Sequence, residues 1–339
     1  MRAVSIARPG TVTTVDLQEP ELGPDDVLLS IRFIGLCGSD LNAFRGLSPN
    51  VTYPLIPGHE IGAVVAAKGD RVPDSVHIGA RVTVSPYSSC GDCPACRAGR
   101  RNCCQFNRTL GVQRDGALTE RISVHYADIV SSDVLTLQEL ALVEPMTVGY
   151  HAANRGRVSE VDTVLVIGCG AIGMGAIAAA ARKGATVIAA DIDDGKLALS
   201  ERFGARHTVN SSTCDLLGAL QDQTDGDGVS VVIEAVGLPG TYRLAVEAAA
   251  YAGRVVYVGY AKQPVTYDST EFVRKELDIM GSRNALLEFP AVVAMIERRE
   301  FPFADLITRV VPLDEAAQAF VDWDAAPGQI VKVMIQIVD

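Results

Sequence analysis

The chain has 339 residues, of which 48% are hydrophobic and 21% charged, and a net charge of −11. That length favours two domains over a single core, and the composition is that of a water-soluble globular protein. The acidic balance lacks the basic footprint of a nucleic-acid binder. The first ten residues lack the apolar run of a signal peptide, so a cytoplasmic protein is expected.

Up to about residue 145, short apolar runs (Val27–Ile34, Gly62–Ala67, Arg81–Val84) separated by Gly and Pro turns read as β-rich. Between the first two lie Leu36-Cys37-Gly38-Ser39-Asp40 and Gly58-His59-Glu60. A thiolate, an imidazole and a carboxylate come within reach of one metal there, beside the Ser39 hydroxyl as a proton relay. This donor set suits zinc, and three ligands with a fourth position open make a catalytic site. His59 alone would be an ordinary polar residue; its case rests on Cys37, Glu60 and the downstream Glu144-Pro145 taken together.

Four of the eight cysteines then crowd into Cys90-x2-Cys93-x2-Cys96-x7-Cys104. In an unexported chain this favours metal over disulfide, and four thiolates close a tetrahedral, structural zinc site. Cys103 competes for the fourth place but reads as a bystander, and Cys169 and Cys214 read as free thiols.

From about residue 150 the pattern changes. Strands are expected at Val164–Ile167, Val187–Ala190, Val229–Glu234, Val255–Val258 and Ile279–Gly281. Helices are expected at Ala171–Lys183, Lys196–Phe203, Leu238–Ala250 and Ser269–Lys275. This alternation indicates a parallel sheet covered on both faces. Thr163–Ala181 carries no charge over 19 residues, but its four glycines and its shift from β-branched to Ala-rich composition suit strand, turn and helix, not a membrane span.

Within it, Gly168-Cys169-Gly170-Ala171-Ile172-Gly173 follows a strand and opens a helix, as a dinucleotide fingerprint must. Gly168 permits the tight turn, Gly170 lets backbone approach the pyrophosphate, and Gly173 allows close helix–strand packing. Asp191, at the end of the next strand, is placed to accept the ribose hydroxyls. With Asp193 and Asp194 it would repel a 2′-phosphate, which favours NAD over NADP. Helices at Glu288–Arg299 and Asp314–Asp322 follow, and the closing run Ile330–Val338 is placed to pair back onto the N-terminal region.

These residues, with Gly111-Val112, Asp115-Gly116 and the segment Gly281-Ser282-Arg283-Asn284-Ala285, resemble the zinc-dependent medium-chain alcohol dehydrogenases. The resemblance is strongest to the sorbitol (polyol) dehydrogenase branch, near the L-galactonate and L-idonate 5-dehydrogenases. It implies an α/β chain with a β-rich GroES-like catalytic domain, residues 1–147 and 284–339, carrying the structural zinc lobe at 88–106. A Rossmann domain at 148–283 would bind NAD.

It further implies that Cys37, His59 and Glu144 hold the catalytic zinc, with Glu60 as an exchanging or water-mediated ligand; which glutamate binds directly stays open. Ile172, Asp191, Lys196, Val258 and Arg283 match cofactor positions, and Arg283 and Asn284 also match positions near substrate.

Three departures stand out. Ala63 replaces a glycine, Asn42 replaces a relay histidine, and Ala43 replaces an aromatic of the polyol pocket. The expected protein holds two zinc ions and NAD and oxidises a secondary hydroxyl of a sugar acid or polyol. Alternatives are sorbitol, xylitol, 2,3-butanediol or L-threonine as substrate, or a non-catalytic NAD-binding protein. A homodimer or homotetramer is expected, with the Val255–Tyr257 strand extending a sheet across the interface.

Overall fold

The computed structural model describes residues 1–49 and 51–337. The chain divides into two compact units, Met1–Glu144 with Phe289–Asp339, and Pro145–Glu288. In chain order the first unit contains β1 (Arg2–Arg8), β2 (Thr11–Asp16), β3 (Asp26–Gly35), α1 (Gly38–Phe44), β4 (Glu60–Lys68), β5 (Arg81–Val84), α2 (Pro94–Arg97), β6 (Arg121–His125) and β7 (Ile129–Ser131). Helix α3 (Leu137–Arg155) crosses the division between units. The second unit follows with β8 (Thr163–Ile167), α4 (Ala171–Arg182), β9 (Thr186–Asp191), α5 (Asp194–Arg202), β10 (His207–Asn210), α6 (Leu216–Gln223), β11 (Val229–Glu234), α7 (Pro239–Ala248), β12 (Ala249–Tyr257), α8 (Thr270–Lys275) and β13 (Asp278–Gly281). The chain then returns to the first unit with α9 (Phe289–Glu297), β14 (Ile307–Pro312), α10 (Ala316–Ala325) and β15 (Lys332–Gln336).

The first unit is built on a sheet ordered β14-β15-β3-β4-β5-β7, with β6 also on β3. Strand β15 pairs antiparallel with β3, Met334 opposite Gly35, so the chain end returns to the strand that leads into Cys37. Val338, the last residue of that expected run, lies outside the described residues. Strand β3 puts Leu29 and Ile31 inside by alternation, and a register shift between Ile31 and Phe33 brings Ile34 to the same core, with Ile61, Leu118 and Phe320. Each such side chain contributes about 1.5–3 kcal/mol of burial.

The second unit is a parallel sheet ordered β10-β9-β8-β11-β12-β13, the doubly wound Rossmann arrangement. Its strand order reverses between β8 and β11, so the crevice beyond the carboxyl end of β8 is where such folds take a dinucleotide. The uncharged Thr163–Ala181 stretch resolves into β8, a glycine turn and most of α4. No helix among the described residues is long and apolar enough to cross a membrane.

Several expectations need correction. Helix α3 went unrecognised: residues 139–147 are all buried, so no amphipathic stripe marks it, and Pro145 sits inside it. Strand β10 and helix α6 were also missed. Helix α7 stops at Ala248, short of the expected Ala250. There the buried Lys275 ammonium donates to the carbonyls of Glu247 and Ala249 at 2.9 Å each, capping the helix end. Strand β12 is paired on both sides, Val255 with Val232 and with Ile279. It therefore cannot extend a sheet to another subunit; β13 is the strand at that edge.

Candidate metal sites and cofactor cradle

Strand β3 delivers Cys37 to the start of α1, the turn before β4 delivers His59, and Glu60 opens β4. Asp40, wholly buried, ties the two stretches together. One carboxylate oxygen accepts the Cys37 N–H at 2.8 Å. The other accepts the Gly58 N–H at 3.4 Å and lies 3.9 Å from His59 Nδ1.

The His59 turn is fixed by backbone against backbone. Gly58 has φ +97. A Cβ on Gly111 would come 2.7 Å from Gly58 N, and one on Gly116 would come 2.4 Å from Gly58 O. Asp115 adds a carboxylate that accepts the Ile56 N–H at 2.9 Å.

Glu60 is also wholly buried. Its Oε1 accepts from the Lys332 ammonium at 2.6 Å, and Lys332 donates to Leu36 O at 3.1 Å. Gly35 opposite leaves the room for it, since a Cβ there would meet Glu60 Oε2 at 2.0 Å.

The donor atoms of Cys37, His59 and Glu60 all lie within 4.8 Å of one another. Glu144, buried on α3, is not a member of that group; its Oε1 accepts a hydrogen bond from the Tyr87 hydroxyl. Among the described residues, Ser39 Oγ, His59 Nδ1 and Glu60 Oε2 are buried with no hydrogen-bond partner, and native interiors rarely leave such atoms without an ordered water or ion.

The electrostatics point the same way. Desolvation opposes charge on His59, yet the Cys37 thiolate and the Asp40 carboxylate outweigh it and raise the imidazole's pKa well above its ordinary value. Desolvation raises the carboxyls of Asp40 and Glu144, and burial raises the Tyr87 phenol. Lys332 is the cation packed against this cluster of acids. The surplus of negative charge and the sulfur–nitrogen–oxygen donor set fit a divalent zinc ion.

The cysteine lobe is built differently. Its sulfurs stand 3.6 Å apart for Cys90–Cys104, 3.9 Å for Cys93–Cys104 and 4.0 Å for Cys90–Cys96. A disulfide would need about 2.05 Å, whereas four thiolates about 2.3 Å from one zinc stand ~3.8 Å apart. Backbone N–H groups already solvate the sulfurs, with Cys90 N to Cys104 Sγ at 3.3 Å and Cys93 N to Cys90 Sγ at 3.2 Å. The N–H groups of Cys96 and Gln105 bring the Cys93 thiol down to about 6, while burial pushes Cys96 up to about 12. Cys103 lies outside this group, with its sulfur 3.9 Å from Arg100 Nη2.

In the second unit, Gly168 turns the chain at φ +95, and a Cβ on Gly173 would meet Gly168 O at 1.8 Å. A Cβ on Gly170 would meet nothing within 4 Å, so the space in front of it is open to a ligand. Ala171 and Ile172 begin α4, whose N-terminus faces that space.

The Asp191 carboxylate is held by three backbone donors, Cys169 N at 2.7 Å, Ile192 N at 2.8 Å and Asp193 N at 3.1 Å. Asp193 caps α5 by accepting the Lys196 N–H at 2.9 Å. At the same end of the sheet, beyond β12 and β13, a cavity of about 300 Å³ is lined by Tyr242, Tyr257, Val258, Tyr260, Ser282 and Arg283. Asn284 follows with φ +54, its Nδ2 buried without a hydrogen-bond partner among the described residues.

The expected residues thus gather unit by unit. Cys37, Ser39, His59, Glu60, Glu144 and the lobe fall in one, and Gly168 to Gly173, Asp191, Lys196, Val258, Arg283 and Asn284 in the other. Sequence reasoning missed Gly35, Tyr87, Lys332 and the tethering by Asp40. Of these only Lys332 carried a signal, a lone charge inside an apolar closing run.

The sequence matches the family described as alcohol dehydrogenase GroES-like domain over residues 23–134 and that described as zinc-binding dehydrogenase over residues 171–298. The L-galactonate-5-dehydrogenase of Escherichia coli K12 is 35% identical over 85% of this chain and 87% of its own length. Other relatives carry the names of polyol and polyol-phosphate dehydrogenases.

Among solved structures, RspB from Escherichia coli CFT073, an alcohol dehydrogenase complexed with NADH, superposes with a TM-score of 0.92 at 29% identity, covering 99% of both chains. A zinc-binding dehydrogenase from Sinorhizobium meliloti 1021 bound to NADP does so with a TM-score of 0.92 at 31% identity, covering 99% of this chain and 98% of that one.

Proposed function

The chain belongs to the zinc-binding alcohol dehydrogenase family, and on that premise we propose that it oxidises a secondary hydroxyl of a sugar acid to a ketone with NAD. That it is an oxidoreductase acting on a CH–OH group follows from the family itself. The observation that carries the reading is that one chain holds both an open three-donor cluster at Cys37, His59 and Glu60 and a dinucleotide cradle at Gly168–Gly173.

When bound, zinc supplies Lewis acidity that brings an alcohol's ionisation toward neutral pH, on the scale of the fall from about 15.7 to about 7 for water, and NAD supplies the hydride acceptor. Cys37, His59 and Glu60 hold the metal, with Asp40 keeping the first two in register. Ser39 takes the substrate proton and hands it to water, since Asn42 cannot titrate. The four lobe cysteines hold a second, structural zinc. Asp191 accepts the ribose hydroxyls and excludes a 2′-phosphate, which supports NAD over NADP. Arg283 presents a planar fork to the substrate carboxylate, with Asn284 beside it. A homodimer or homotetramer would use the β13 edge.

The substrate class is supported by the L-galactonate relative and by Arg283, and the test is NADH formation on a panel. With zinc-replete protein we expect L-galactonate or L-idonate to exceed sorbitol, xylitol, 2,3-butanediol and L-threonine. Arg283→Ala should reduce turnover of the aldonate far more than that of a neutral diol. Preference for a neutral polyol or diol would move the assignment to that class. Equal losses on both substrates in Arg283→Ala would remove its carboxylate role.

A further inference from the structure

We propose that Tyr87 is a positioning residue: its hydroxyl holds the Glu144 carboxylate by one oxygen and keeps it out of the coordination sphere of the Cys37–His59–Glu60 site. The inference rests on the catalytic-metal reading above and goes beyond it by saying what keeps that site open.

The site has one acid more than an open zinc can use. Cys37, His59, Glu60 and Glu144 together would close a tetrahedral zinc and leave no place for substrate. A thiolate and one carboxylate already balance a divalent ion; a third anion would make it a weaker electrophile. One glutamate therefore has to be held back, and the two are held by different groups.

Glu60 gives only Oε1 to Lys332, at 2.6 Å, and its Oε2 stays buried without a partner among the described residues. That oxygen is available, and Glu60 is the carboxylate grouped with Cys37 and His59. Glu144 is outside the group, and the Tyr87 hydroxyl donates to its Oε1. The un-ionised phenol is the donor; it fixes the side chain in the position outside that group, and a Glu144 carboxylate moving in to ligate the metal would break the bond.

Tyr87 is itself firmly placed. Before it, Ser85 N donates to Asp128 O at 2.7 Å, and Pro86 O accepts from Leu110 N at 3.0 Å. After it, Ser88 N donates to Asn107 Oδ1 at 3.1 Å and Ser88 Oγ accepts from Arg108 N at 2.7 Å. The phenol is thus set from the segment between β5 and the lobe, and removing its hydroxyl leaves these anchors intact.

The test replaces zinc with cobalt(II), whose visible spectrum reports coordination number, and counts metal per chain. Cys37→Ser protein supplies the lobe-only spectrum for subtraction. In Tyr87→Phe we expect both metals retained, a changed open-site spectrum without substrate, and turnover lower by about tenfold or more, the scale of one hydrogen bond to a charged group. Glu144→Gln should keep both metals, and the Tyr87→Phe change should vanish in the Tyr87→Phe/Glu144→Gln double variant.

Loss of the open-site metal in Glu144→Gln, with the lobe metal retained, would make Glu144 a direct ligand and overturn the proposal. So would an unchanged spectrum in Tyr87→Phe. If the wild-type protein bound only the lobe metal, the catalytic-metal reading would fall and Tyr87's role with it, a result distinct from the other two.

Discussion

The two metal clusters share one unit and little else. The lobe takes all four sulfurs from Cys90 to Cys104, and neighbouring N–H groups already solvate them. The open cluster draws on the start of α1, the turn before β4 and β4 itself, with Lys332 of β15 beside it, and among the described residues Glu60 Oε2 and Ser39 Oγ have no partners. A site meant only to hold a metal can satisfy every atom locally. A site meant to exchange ligands has to leave atoms unsatisfied, and a surrounding fold has to bear that cost.

The largest effect should come from exchanging the damage between the clusters. Cys37→Ser should lower turnover by on the order of a thousandfold, since about 1.4 kcal/mol goes with each unit of pKa shift lost, while one zinc per chain remains by elemental analysis. Cys93→Ser should instead release the lobe zinc and speed proteolysis within residues 88–106, with the open-site zinc retained. Full activity in Cys37→Ser would end the catalytic-zinc reading.

Lys332→Met should come next. It leaves Glu60 buried without its cation, a change of about 3–5 kcal/mol for a broken buried pair. Denaturant melts should show that loss, with the lobe zinc unaffected; an unchanged midpoint would mean that Lys332 is dispensable. The smallest effect is expected from Gly35→Ala. Its Cβ, 2.0 Å from Glu60 Oε2, would push the carboxylate aside and weaken open-site zinc by about 10–100-fold, the scale of a disturbed supporting residue. Equal zinc affinity in a chelator titration would show that Glu60 is free to shift.

The same contrast governs what could be read from the sequence. The lobe and the glycine turn at Gly168–Gly173 were legible because their geometry is local, a spacing along one loop or one strand-to-helix turn. Cys37, His59 and Glu60 were legible as donor types, but their meeting depends on Asp40 bridging both stretches. Lys332 finds Glu60 272 residues away in sequence, and nothing local announces that. Helix α3 was hidden for a different reason, since burial all round erases the periodicity that identifies helices. The expected role of Val255–Tyr257 at an interface failed because β13, the next strand in the chain, pairs along the outer side of β12 and takes the sheet edge.

Gly58, Gly111 and Gly116 bear no functional group, yet any side chain on Gly111 or Gly116 would be driven into the main chain of the His59 turn. For directed evolution this separates two kinds of position. On the proposed reading, Arg283 and Asn284 are the positions to randomise in a search for new substrates, since neither belongs to a metal cluster. Mutating either of those two glycines would remove the variant from the screen before its substrate preference could be measured.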